Sequence, residues 1–173
     1  NLTNRINDAA TISLRGGMLQ LRSRAALMTT ETFGAVTLGE GNSIIDFSEG
    51  GTGVNRVDAT FTSFSQAPGS RGTVRFLNID ATPSDDQRLF INTLNGVATT
   101  NIGDGLVNDI IGGWATFERE FASYIPGQGL GGLNTQGFAG YSPNLINNGI
   151  ATDNIRIALP NTGSTTLLTG NVT

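Results

Sequence analysis

Residues 10–21 read Ala-Thr-Ile-Ser-Leu-Arg-Gly-Gly-Met-Leu-Gln-Leu. Apolar and polar residues alternate over 10–14 and again over 18–21, with Gly16 and Gly17 as the turn between them. Side chains two apart on a strand share a face, so each run presents one apolar face. The pattern returns at 35–38 (AVTL), 43–47 (SIIDF), 57–64 (VDATFTSF) and 73–79 (TVRFLNI). It returns more briefly at 89–91 (LFI), 155–159 (IRIAL) and 165–168 (TTLL). Each run is rich in Val, Ile, Thr and Phe and bounded by Gly, Asn, Ser or Pro. No amphipathic helix lies between them. Residues 104–111 (DGLVNDII) allow a short helical turn, closely flanked by Gly103, Gly105, Gly112 and Gly113.

Composition narrows the function classes. The 173 residues suffice for one domain with a core, or for one segment of a longer array. Charged residues make up only 14% and glycines number 24. That is unlike a cytosolic enzyme, and unlike a charge-rich disordered chain. Cys, His and Lys are absent. No disulfide framework, thiolate chemistry, imidazole base, Schiff base or P-loop lysine is available. The net charge of −4 and the scattered arginines argue against nucleic-acid binding. No apolar run approaches a membrane span, and no signal peptide opens the chain. Asn1 is not an initiator Met, so we expect a processed N-terminus or a piece of a longer protein.

Two all-β solutions fit: a closed sandwich or barrel, and a solenoid. The uneven turns of Gly, Asn, Ser and Thr, read as distinct from Asn-Gly hairpin pairs, favour the solenoid. The expected fold is a right-handed parallel β-helix (β-solenoid) over residues 1–173, with an irregular Gly-rich excursion near 126–145. With strands about 4.8 Å apart and roughly 20–25 residues per coil, the chain would make about seven or eight coils.

Longer stretches carry a resemblance. Residues 4–21 (NRINDAATISLRGGMLQL) and 30–41 (TETFGAVTLGEG) are followed by 110–116 (IIGGWAT), 121–124 (FASY) and 152–157 (TDNIRI). Together and in this order they resemble the strand repeats of autotransporter-type passenger proteins. Those repeats read roughly N-R-L-x-D-x-A-x-(V/L)-x-L-x-G-G-x-L-x-L, then T-E-T-(V/F)-G, then I-(I/L)-G-G-W-A-T. The resemblance covers most of the chain, with gaps at 80–103 and 126–150. It implies a parallel β-helix exported across a Gram-negative-type envelope, extracellular or on the cell surface. The outer-membrane barrel of such proteins does not appear, and residues 165–173 resemble the start of another coil. The family offers no catalytic motif. Gly112, Gly113, Trp114, Phe121 and Tyr124 are structural by this resemblance, covering a coil or filling a bend.

Four motifs carry candidate chemistry. Asp85 and Asp86 follow Pro83-Ser84 and read as a turn or cap in preference to a metal or acid/base pair. Glu118 and Glu120 would share a strand face, at a spacing that glycosidase carboxylates use; an exposed polar face gives the same pattern. Residues 50–58 (GGTGVNRVD) approach the calcium-binding nonapeptide, but Asn55 replaces its Asp and Arg56 adds positive charge. No cofactor is implied, although the Asp- and Asn-rich turns leave calcium open. Residues 127–140 (GQGLGGLNTQGFAG) mimic phosphate-loop spacing without the Lys or the helix. They read as a flexible excursion, with Phe138 and Tyr141 as candidate contact residues. Asn1-Leu2-Thr3 and Asn171-Val172-Thr173 match the glycosylation sequon.

The expected function is structural: a surface fibre element that self-associates end to end or laterally, neither end showing a charged or helical cap. The alternative is an adhesin gripping carbohydrate or another cell through residues 126–145. A polysaccharide-cleaving enzyme ranks third, since it would rest on Asp, Glu and Arg alone.

Overall fold

A computed structural model describes residues 5–48, 50, 56–79, 87–143 and 148–156. Asp85-Asp86, Gly51 to Asn55 of the nonapeptide-like run, the strand readings beyond Arg156, and both sequons lie outside the described residues. The described chain is all-β, without α-helix, and forms two mixed sheets, neither closed.

The strands are β1 (Ile12–Leu14), β2 (Gly17–Arg22), β3 (Thr29–Leu38), β4 (Asn42–Ser48), β5 (Val57–Gln66) and β6 (Thr73–Leu77). They continue as β7 (Gln87–Ile91), β8 (Thr93–Leu94), β9 (Val97–Ala98), β10 (Ala115–Phe117), β11 (Glu120–Ile125) and β12 (Gly129–Gly132). From β1 to β6 the chain alternates strictly between the sheets. The first sheet runs β1-β3-β5-β8-β9, with β7 also on β5. The second runs β12-β11-β10-β6-β4-β2. Pairing is parallel among β1, β3, β5, β7 and β8, and among β2, β4, β6 and β10. Antiparallel pairs β8/β9, β10/β11 and β11/β12 make both sheets mixed.

Register turns the alternation into columns. Val36, Phe64 and Leu94 lie opposite one another, as do Phe33, Phe61 and Ile91. On the second sheet Ile45, Phe76 and Phe117 form a third column. Most of these side chains are fully buried. Phe33 meets Phe61 edge-on at 5.5 Å, and Phe64 reaches Phe76 of the opposite sheet at 5.7 Å. Aromatic pairs in this geometry add about 0.5–1.5 kcal/mol beyond their burial.

Several expectations change. Ile12 lies opposite Val36, whereas Asn42 lies opposite Thr73. The spacing between paired partners thus widens along the chain beyond the expected coil length. Asn95-Gly96 does form a hairpin turn, with φ of 51° and 83°, joining β8 to β9. Residues 104–111 form turns and an isolated Val107–Ile110 bridge instead of a helical turn. Gly129–Gly132, read as flexible excursion, is a buried strand paired with β11. A Cβ on Gly132 would lie 3.1 Å from side-chain atoms of Glu120 and Phe117, so a larger residue there requires those side chains to give by a few tenths of an ångström. The C-terminal side of the stack is also covered: β10–β12 fold over it as an antiparallel meander.

Candidate functional site

The loops at 101–111, 137–143 and 148–156 converge beside β11. Asn154 donates through its side-chain amide to the Asn108 carbonyl, and the Asn108 amide donates to the Ala151 carbonyl at 3.3 Å. Ser123 Oγ on β11 donates to the Asp109 carbonyl at 2.6 Å. Asn108 and Asp109 both have positive φ, a conformation Asn and Asp tolerate better than most residues. These bonds hold two small cavities side by side. One, of about 230 Å³, is lined by Asp109, Tyr141, Ser142, Thr152 and Asn154 among others. The other, of about 160 Å³, is lined by Ile102, Leu106, Ser123, Tyr124 and Phe138 among others. The two candidate contact residues, Phe138 and Tyr141, therefore serve adjacent cavities that share Asp109 and Ala139.

Tyr141 is held by charge on two sides. The Arg156 guanidinium lies 5.7 Å from its ring centre, and Arg156 Nη1 bonds Glu120 Oε1 at 2.6 Å. Burial pushes the Tyr141 phenol above its ordinary value, and the nearby Glu120 carboxylate pushes it further. At neutral pH it is thus a protonated donor beside a carboxylate. Carboxylate, amide and phenol groups around a small open cavity suit hydroxyl-bearing ligands. In loop 101–111 the Asp104 carboxylate accepts from the backbone N–H of Asn101 and Thr100, and these bonds hold it below its ordinary value.

The carboxylates of Glu118 and Glu120 do not form a pair. Glu118 has φ 51° and sits in the turn between β10 and β11, not on a shared strand face. It accepts from the Asn78 N–H at 3.1 Å and pairs with Arg75 at 3.7 Å, whereas Glu120 pairs with Arg156. Among the described residues no group of three His, Cys, Asp or Glu is placed to hold a metal ion, and no helix is long and apolar enough to cross a membrane.

Gly112, Gly113, Trp114, Phe121 and Tyr124 lie on and before β10 and β11. A Cβ on Gly112 would run into the Trp114 indole, while the space at Gly113 is open. Trp114 is partly buried, 5.6 Å from Phe64. Phe121 remains 38% exposed. Tyr124 is buried, and its hydroxyl accepts the Ile91 backbone N–H at 3.1 Å.

Sequence reading misses two buried polar groups and one charge network. Glu31 has a fully buried side chain that accepts from the backbone N–H of Arg5 and Ile6 and pairs with Arg5. Strand parity is a usable signal, because Glu31 shares parity with buried Phe33. Asp46 accepts from Gln20 on β2 and from Asn78 just after β6. Asp58 binds both Arg56 and Arg88, and Arg88 lies over the Phe90 ring at 4.9 Å. The Asp58–Arg88 bond spans 30 residues and leaves no local trace. Comparison of the chain with family models, curated proteins and solved structures gave no match.

Proposed function

We propose that the chain is a segment of a right-handed parallel β-helix. It forms or decorates a fibre on the surface of a Gram-negative-type bacterium, by end-to-end or lateral association. Its role is mechanical or adhesive, and not catalytic. The alternation of β1–β6 between two sheets in parallel register supports the architecture, and right-handed crossovers are the rule for such connections. The likeness of residues 4–21, 30–41, 110–116, 121–124 and 152–157 to autotransporter passenger repeats supports the location. The observation that carries the assembly is the free edge of the stack. Among the described residues β1 and β2 are edge strands, and nothing pairs with the outer side of β2. Such an edge is a template for another strand. Electron microscopy of native material tests the reading, with filaments or regular arrays expected. Dispersed globular particles at high concentration would overturn it.

A second reading, an adhesin for carbohydrate, is favoured by the twin cavities at Phe138 and Tyr141. On a glycan array the wild type is then expected to retain a sugar that Tyr141→Ala loses. A blank array for the wild type removes this reading.

A further inference from the structure

Resting on the self-association reading, we propose that copies of this chain join head to tail. The face around β1 and β2 of one copy seats on the face formed by loops 101–111 and 148–156 of the next.

The exposed large apolar side chains fall into two groups. Ile6, Met18, Leu27 and Met28 lie around the first strands, whereas Val97, Ile102, Val107, Phe121 and Ile150 follow the last parallel strand of the first sheet. Among the described residues from 29 to 96 there is none. Met18 is 56% exposed on the edge strand β2, and Ile102 is 77% exposed. The middle of the stack thus meets water as a polar surface, and the apolar area awaiting cover sits at its two extremes.

Charge separates the same two groups by sign. Residues 5–28 hold four arginines (5, 15, 22 and 24) against Asp8, a net of +3. Residues 99–156 hold five acids (Asp104, Asp109, Glu118, Glu120 and Asp153) against Arg119 and Arg156, a net of −3. Two heads would bring arginines together and two tails would bring carboxylates together. Head on tail is the arrangement in which both apolar cover and charge are satisfied. The backbone points the same way. Among the described residues the head offers the unpaired edge of the parallel strand β2, whereas at the tail the end strands β9 and β12 lie in antiparallel pairs. There the Ile91 N–H is taken by Tyr124, and the chain closes over as β10–β12. Two unlike faces at opposite ends make a heterologous contact, which propagates into a filament unless its rotation closes a ring.

Sedimentation velocity on the full chain tests this with two blocked variants, Met18→Asp on the head and Ile102→Asp with Val107→Asp on the tail. All three positions are exposed, and circular dichroism identical to wild type verifies the fold. Arg24→Glu replaces Met18→Asp if that variant does not fold. The wild type is expected to form a concentration-dependent series of oligomers, weakened about tenfold or more between roughly 50 and 500 mM salt. Each blocked variant alone is expected to stay monomeric, and their mixture to give a 1:1 dimer and nothing larger. If the tail-blocked variant dimerises by itself, the junction is head to head and the inference falls while self-association stands. If the wild type stays monomeric throughout, both fall.

Discussion

The Tyr124 hydroxyl sits on the side of β7 that faces away from β5. Asn92 N–H bonds the Phe61 carbonyl, so by strand alternation the Ile91 N–H must point to the other side, where Tyr124 meets it. Tyr124→Phe keeps the ring and deletes the acceptor. A buried N–H left unpaired costs about 1–3 kcal/mol. Urea unfolding is expected to show that loss with an unchanged m-value. A change below about 0.5 kcal/mol would mean that water reaches this edge. The reading of Tyr124 as structural comes from resemblance, and its partner Ile91, 33 residues away, is not legible in the sequence at all. Glu31 is the converse case. Its parity with Phe33 is visible, but a carboxylate at an inward position is tolerable only because Arg5 and Ile6 supply donors from outside the strand.

At the scale of elements, β12 is a strand because of its neighbours. Gly-Leu-Gly-Gly has little β propensity of its own, and propensity on a sheet mostly reports packing. Leu130 is fully buried, and Gly132 lies against Glu120 and Phe117. Gly132→Val is therefore expected to cost about 1–3 kcal/mol through overpacking. Gly113→Ala, where the space is open, is expected to change stability by less than about 0.5 kcal/mol. Thermal unfolding of the two variants side by side checks the contrast, and equal melting temperatures would refute the packing account of β12. The strands β1, β2 and β4–β7 and the second half of β3 are readable because apolar residues recur two apart. The Asn95-Gly96 dipeptide is a strong local hairpin signal that the reading of the turns passed over, and it joins β8 to β9 as an antiparallel pair.

At the scale of the molecule, the parallel stack gives one direction to everything attached to it. Its first strands leave an edge and exposed methionines, and its last strands fold back on themselves. A uniform stack would offer the same kind of open edge at both extremes. The antiparallel meander removes that likeness, which is why a directional junction is expected of copies that associate. The same meander brings Glu120 to Arg156 across 36 residues and sets Tyr141 beside both, building the candidate site on the covered side of the stack.

The sequence alone established an all-β chain and much of the apolar alternation along β1–β7, but not that Glu31 and Asp46 turn inward. It also excluded thiol, imidazole and lysine chemistry. Side-chain alternation is a property of each strand alone, so it is written in the order of residues. Which strand lies against which was decided only in three dimensions. So were the widening spacing between stacked partners, the antiparallel closure, and the meeting of Tyr141 with Glu120 and Arg156. Those depend on contacts between residues far apart in the chain, and their energies arise only once both partners are packed.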